Sequence, residues 1–265
     1  MTTHHPDAIS VEAGPPGIDA VEARKRNPAT VMTATRHPLR IDFAVEPMIN
    51  LKLGVTAALR IEPTITHVKT AKLLPARTFT QLFDDDLAGI DEATARFASL
   101  YLQGPAAGGQ PPVMIPASFR TMGSRKGRNQ VMAAIEAAPA RVKSSVLIEL
   151  VEVDKGTPPG RLTEVASLLH GLVRGVFVRV TPGKEVVPPE RGSRLQGLTL
   201  DVGDLTGAAR ITNEMLTFAE QMRGTAPALM VQGLPSEVMF AMATVAGLSH
   251  AAVRVPVAAA GSAAA

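Results

Sequence analysis

The sequence predicts an α/β fold built on parallel strands, and three observations carry that expectation. Eight short apolar runs recur between residues 41 and 255, separated by longer segments with helical periodicity. Most of these runs are apolar without alternation, as in strands covered on both faces. The core must also be aliphatic, because 46% of residues are hydrophobic while only 3% are aromatic, with no Trp and one Tyr, Tyr101. Eight strands over about 225 residues suit a (β/α)8 TIM-like barrel, and an open doubly wound sheet is the alternative that periodicity leaves standing.

The predicted strands are 41–45 (IDFAV), 55–61 (VTAALRI), 113–116 (VMIP), 145–151 (SVLIELV), 176–180 (VFVRV), 197–201 (GLTLD), 227–231 (PALMV) and 251–255 (AAVRV). Predicted helices lie between them at 78–87, 90–103, 126–137, 160–173, 205–222 and 235–246. In the first, Asp84, Asp85 and Asp86 suit a helix boundary better than a metal site, since Asp favours caps and first turns. Helix 160–173 repeats Leu162, Val165, Leu168, Leu169 and Val173 at helical spacing. Helix 205–222 carries Leu205, Ala209, Ile211, Leu216 and Met222 on a broad apolar face and stops before Gly224. Pro235 suits the first turn of 235–246, and Glu237 suits its dipole.

Residues 1–38 lack apolar periodicity and contain the breakers His5-Pro6, Gly14-Pro15-Pro16-Gly17, Asn27-Pro28 and His37-Pro38. They read as a disordered or loosely docked arm with a basic second half. Residues 39–256 form the barrel domain, and 257–265 a low-complexity tail. A net charge of +3 implies no polyanionic partner by itself. The scarcity of aromatics argues against a nucleic-acid partner read by base stacking. Zero Cys removes disulfides, thiolate metal sites and a cysteine nucleophile. No apolar run of about twenty residues is present, so membrane insertion is not expected and a cytoplasmic location is.

The nucleotide-binding and hydrolase motifs G-x-x-x-x-G-K-[ST], G-x-G-x-x-G after a strand, H-E-x-x-H and G-x-S-x-G are absent. Two features remain. Glu149 interrupts the apolar run 146–151, and Glu152 follows just beyond it; a buried carboxylate is costly without a cation. Arg120, Arg125, Lys126 and Arg128 crowd around Gly123 and Gly127 ahead of a helix, a candidate anion-binding loop.

The order of these runs resembles the EAL domain, the barrel family of cyclic di-GMP phosphodiesterases. "FAVEPMINLKLGVTAALR" is similar to that family's opening "F-Q-P-I-V-D-L…E-A-L-L-R", and "IPASFRTM" is similar to "V-N-L-S" with Ser118 kept. "LIELVEV" is similar to "L-E-I-T-E-S", which places Glu149 on a metal-binding glutamate and Glu152 on the second glutamate. "GLTLDVGDL" resembles "Y-L-K-I-D-R-S-F" with Asp201 kept, and 229–254 resembles "V-A-E-G-V-E-T-E" onward with Gly233 and Gly247 kept. The resemblance implies an EAL-type barrel over 41–256.

The departures bear on function. Thr56 stands for the signature glutamate, Pro116 for the asparagine ligand, Thr181 and Pro182 for an aspartate pair, and Thr199 for the catalytic lysine. Gln232 and Pro235 replace two glutamates, and Ala252 lies near the final glutamine's place. The resemblance with these losses implies a catalytically inactive, degenerate EAL-like domain, with no catalytic residue, cofactor or metal. It would act as a regulatory protein–protein interaction module in bacterial signalling. Glu149, Glu152, Arg60 and Asp201 would be a vestigial site at the barrel mouth, with Glu149 facing inward to Arg60 or Arg179. Partners are then an unidentified protein and, compatibly with the family, a second copy; cyclic di-GMP is not expected. A non-hydrolysing receptor for cyclic di-GMP or another nucleotide is the alternative.

Overall fold

The computed structural model describes residues 28–75, 81–103, 111–139, 144–153, 156–183 and 193–254. Ten strands form one sheet: β1 (Ala29–Met32), β2 (Pro38–Asn50), β3 (Val55–His67), β4 (Lys72–Leu73), β5 (Val113–Ser118), β6 (Val146–Val151), β7 (Gly175–Val180), β8 (Gly197–Asp201), β9 (Ala228–Leu234) and β10 (His250–Val253). Pairing runs β2-β10-β9-β8-β7-β6-β5-β3, and β3 returns to β2, so these eight close a barrel; β1 and β4 add at the outer edges of β2 and β3. The helices are α1 (Asp84–Gln103), α2 (Phe119–Gly123), α3 (Arg125–Glu136), α4 (Pro159–Leu169), α5 (Ala208–Gln221) and α6 (Met239–Val245).

All eight predicted strands are present, but one direction differs from expectation. β2 is antiparallel to both β3 and β10, while the other six ladders of the ring are parallel. The physical reason is the turn at 51–54: four residues close a hairpin but cannot carry a crossover helix. Gly54 takes φ +67°, a conformation that suits glycine at such a turn. The predicted helices 78–87 and 90–103 merge, over their described residues, into the single helix α1; the part of the first at 78–80 lies outside the described residues.

β2 and β3 are each 13 residues long, about twice the parallel strands. β3 meets β5 only at Leu59 and Arg60, so the hairpin continues well past the barrel rim. There Leu39, Ile41 and Phe43 are buried, and the Phe43 ring stacks on Phe97 of α1 at 4.3 Å. The stretch read as an arm thus ends as structure: β1 pairs with β2 from Ala29↔Ile41 to Met32↔Pro38, and the Ala34 N–H donates to Asp86 Oδ1 at 2.7 Å. Residues 1–27 and 255–265 lie outside the described residues.

Two layers of side chains fill the barrel. The deeper is apolar: Met48, Ala58, Met114, Leu147, Phe177, Met230 and Ala252. The layer toward the carboxyl ends of the parallel strands is ionic. The main aliphatic core lies outside the ring, between strands and helices.

Candidate functional site

Each ionic residue comes from a strand whose other face packs in the aliphatic core. In β3, Ile61 points to the core and is fully buried, so its neighbours Arg60 and Glu62 turn inward. The same alternation turns Glu46 of β2, Glu149 of β6 and Arg179 of β7 into the barrel. Arg60 is 3% exposed and Glu149 0%, so both had to find partners within the fold.

They find each other. Arg179 Nη2 donates to Glu149 Oε2 at 2.6 Å and its Nε at 2.8 Å, a two-pronged grip. The same guanidinium reaches Glu62 Oε2 at 3.2 Å and Asp201 Oδ2 at 3.6 Å. Arg60 donates to buried Glu46 at 3.0 Å, to Glu62 through Nη2, and lies 3.7 Å from Glu149. Four carboxylates therefore share two guanidinium groups. For both arginines burial pulls the pKa down, but the surrounding carboxylates outweigh it and hold each above its usual value. Burial likewise would raise Asp201, yet Arg179 and Arg60, the Gly203 N–H and the Gln232 amide keep it below the ordinary carboxylate range.

Asp201 sits at the rim on β8, accepting from Gly203 N at 3.0 Å and Gln232 Nε2 at 3.0 Å. Gly233 makes this corner: its φ is +77°, and a Cβ there would lie 2.5 Å from Gly203 N. Gly233→Ala is expected to lose more than about 1 kcal/mol, because it meets both a strained φ and a backbone clash; urea denaturation measures it.

Glu152 belongs elsewhere. It takes φ +60° just after β6 and accepts from the Ser118 hydroxyl at 3.1 Å. The Ser118 N–H in turn donates to Asp91 Oδ2 of α1 at 3.0 Å, which brings two carboxylates together around one serine. Burial pushes the Asp91 carboxyl up to about 7, and the Glu152 charge adds to the rise. Sequence reasoning did not single out Asp91, because nothing in a helical Asp announces that a strand end will cover it.

The four basic residues of the candidate anion loop divide in the structure. Arg120 pairs with Asp84 and donates to the Leu82 carbonyl at 3.2 Å, and Lys126 pairs with Asp85 at 2.6 Å. Arg128 donates to the Met122 carbonyl at 3.0 Å, while Arg125 is exposed. The N-terminus of α3 is capped internally, the Ser124 hydroxyl accepting the Gly127 N–H at 2.9 Å. The acidic run 84–86 and the basic run 120–128 thus serve each other and the first turn of α1.

Of the substituted positions, Pro116, Thr199 and Gln232 lie on the strands of the mouth, with Thr199 and Gln232 essentially buried. Thr56 does not; it pairs with Ile49 near the opposite end of the barrel. The β3 side chains that approach Glu149 and its partner are Arg60 and Glu62, two and three full alternations beyond Thr56.

No family model and no curated protein matches the sequence. Solved structures do match in fold. The PaMucR phosphodiesterase in complex with cyclic di-GMP aligns with a TM-score of 0.62 at 14% identity, covering 81% of this chain and 89% of that one. The FimX EAL domain from Pseudomonas aeruginosa, bound to cyclic di-GMP, gives 0.57 at 14% identity over 81% and 88%. The EAL enzyme Bd1971 in its cAMP-bound form gives 0.55 at 10% identity over 81% of this chain, which spans 61% of Bd1971. The fold is the EAL-type barrel. These neighbours also overturn one expectation: cyclic di-GMP was set aside as a ligand, yet proteins of this same fold are crystallised with it. The error came from weighing missing side chains alone, whereas a barrel mouth also offers shape and backbone groups to a ligand. Among the described residues no helix is long and apolar enough to cross a membrane.

Proposed function

We propose that this chain is a regulatory domain of the EAL fold that works in cyclic di-GMP signalling by binding and not by hydrolysis. The observation that carries the reading is the pair of guanidinium groups seated among the carboxylates of the mouth. Two-metal phosphodiester hydrolysis needs several carboxylates free to hold cations and orient water. Here Arg179 holds Glu149 and Asp201, and Arg60 holds Glu46 and Glu62. Pro116 offers no side-chain donor on the neighbouring strand. The donor set therefore fits fixed protein cations rather than a pair of divalent ions, and no hydrolytic step is derived from it.

Binding takes one of two forms, and the solved neighbours with cyclic di-GMP bound favour the nucleotide. Glu149, Arg60 and Asp201 form the floor of the mouth, where a dinucleotide would lie against the rim of β6 to β9; a protein would instead use the outer surface. Incubation with cyclic di-GMP and manganese or magnesium is expected to leave the dinucleotide intact, and linear product at a turnover above the no-protein rate sinks the proposal. Isothermal titration with cyclic di-GMP then separates the two forms: submillimolar binding assigns the mouth to the nucleotide, and its absence with a reproducible co-purifying protein assigns the domain to protein contact.

A further inference from the structure

The first described residue, Pro28, stands beside an open groove of about 460 Å³ between β1 and α1. Its lining is apolar, from Ala29 and Val31 of β1 and from Ala93, Phe97 and Leu100 of α1, with the Glu92–Arg96 ion pair on its lip. Leu100 remains 57% exposed. At one point helix and strand close up: a Cβ on Gly89 would lie 2.9 Å from Val31 Cγ1. β1 is the last strand of its sheet, so among the described residues nothing pairs with its outer edge. Exposed edges with a neighbouring apolar groove accept an added strand.

The length of chain before Pro28 supplies a matching segment. Ile9-Ser10-Val11-Glu12-Ala13 alternates apolar and polar residues, the pattern of a half-buried strand. Five residues of strand span about 17 Å, and α1 from Gly89 to Leu100 rises about 16 Å. Residues 14–27 between them reach up to about 46 Å when extended, and they contain Gly14-Pro15-Pro16-Gly17, which suits a reversal. Being on the same chain raises the effective concentration of the segment to the millimolar range.

We propose that residues 9–13 add as a strand to the outer edge of β1, with Ile9, Val11 and Ala13 in the groove against Phe97 and Leu100. Ser10 and Glu12 then face water. The inference stands apart from the function proposed for the barrel mouth, which neither α1 nor β1 forms.

The test is a photo-crosslinker at the groove, Leu100→p-benzoylphenylalanine, in the full chain. Illumination is expected to join it to residues 8–14 of the same molecule, identified by mass spectrometry in a mixture of heavy- and light-isotope chains. Crosslinks only between heavy and light chains, or only to other segments, overturn the proposal. Hydrogen exchange gives a second readout: Val11→Asp should speed exchange of the β1 amides about tenfold, and a synthetic peptide of residues 7–15 added to a chain lacking residues 2–14 should restore their protection. Unchanged β1 exchange in Val11→Asp overturns it as well.

Discussion

Arg60→Met is expected to lose roughly 3–5 kcal/mol of stability, the range for removing one partner of a buried ion pair. For a chain of this size that is a fall in Tm of roughly 6–20 °C. Methionine fills much of the stem's volume, so the loss comes from charge rather than from a cavity. Glu46, 3% exposed and bonded to Arg60 at 3.0 Å, is the buried carboxylate that loses this guanidinium. Glu149 suffers less, because Arg179 holds it through two short hydrogen bonds. Two consequences follow from that asymmetry. Adding Glu46→Gln to Arg60→Met should recover part of the loss, since one buried charge facing the removed cation is gone. Adding Glu149→Gln should recover little. Urea denaturation of the single and double variants measures both, and a loss below about 1 kcal/mol for Arg60→Met contradicts a buried network in which each cation is needed.

The network also shows how far a sequence of this kind can be read. The parallel strands were legible because both faces are covered, and VLIELV and VFVRV need no partner to betray them. β1, the start of β2 and the upper half of β3 were not, since they leave the barrel and have one covered face. Their signal was alternation: Leu39, Ile41 and Phe43 are buried while Arg40 is exposed and Asp42 half-buried. The direction of β2 was missed, although the four residues between β2 and β3 cannot hold a crossover.

At the site, Glu149 stood out as a charge within an apolar run. Arg179 did so only as its partner. Glu46 and Glu62 lay just beyond the predicted strands 41–45 and 55–61, so strand ends set too early hid two of the three carboxylates around Arg60. Thr56 failed for a related reason. Matching a motif by order gave it a place in the mouth, while register puts it at the far end of β3.

Asp91→Asn is expected to remove a loss of stability that the native chain shows between about pH 4 and pH 7. The carboxyl is buried in the fold and pushed up to about 7, from an ordinary value of 3.8. A folded-state value above the unfolded one means that the native protein holds the proton longer. Its contribution is full below pH 4 and is lost as pH rises through 7. At about 1.4 kcal/mol per pH unit, the change over that window is on the order of 4 kcal/mol. Asparagine keeps an oxygen for the Ser118 N–H and carries no charge, so the variant should be flatter with pH and more stable than the native chain at pH 8. Asp201 does not confuse the reading: its value is lowered, so the stability it supplies is lost only as pH falls through that value, below the Asp91 window. Glu152 shares the Ser118 side chain with this cluster, so Glu152→Gln should reduce the slope without abolishing it. Equal slopes for the native chain and Asp91→Asn from pH 4 to 8, by thermal melts in one buffer series, contradict a proton held at Asp91.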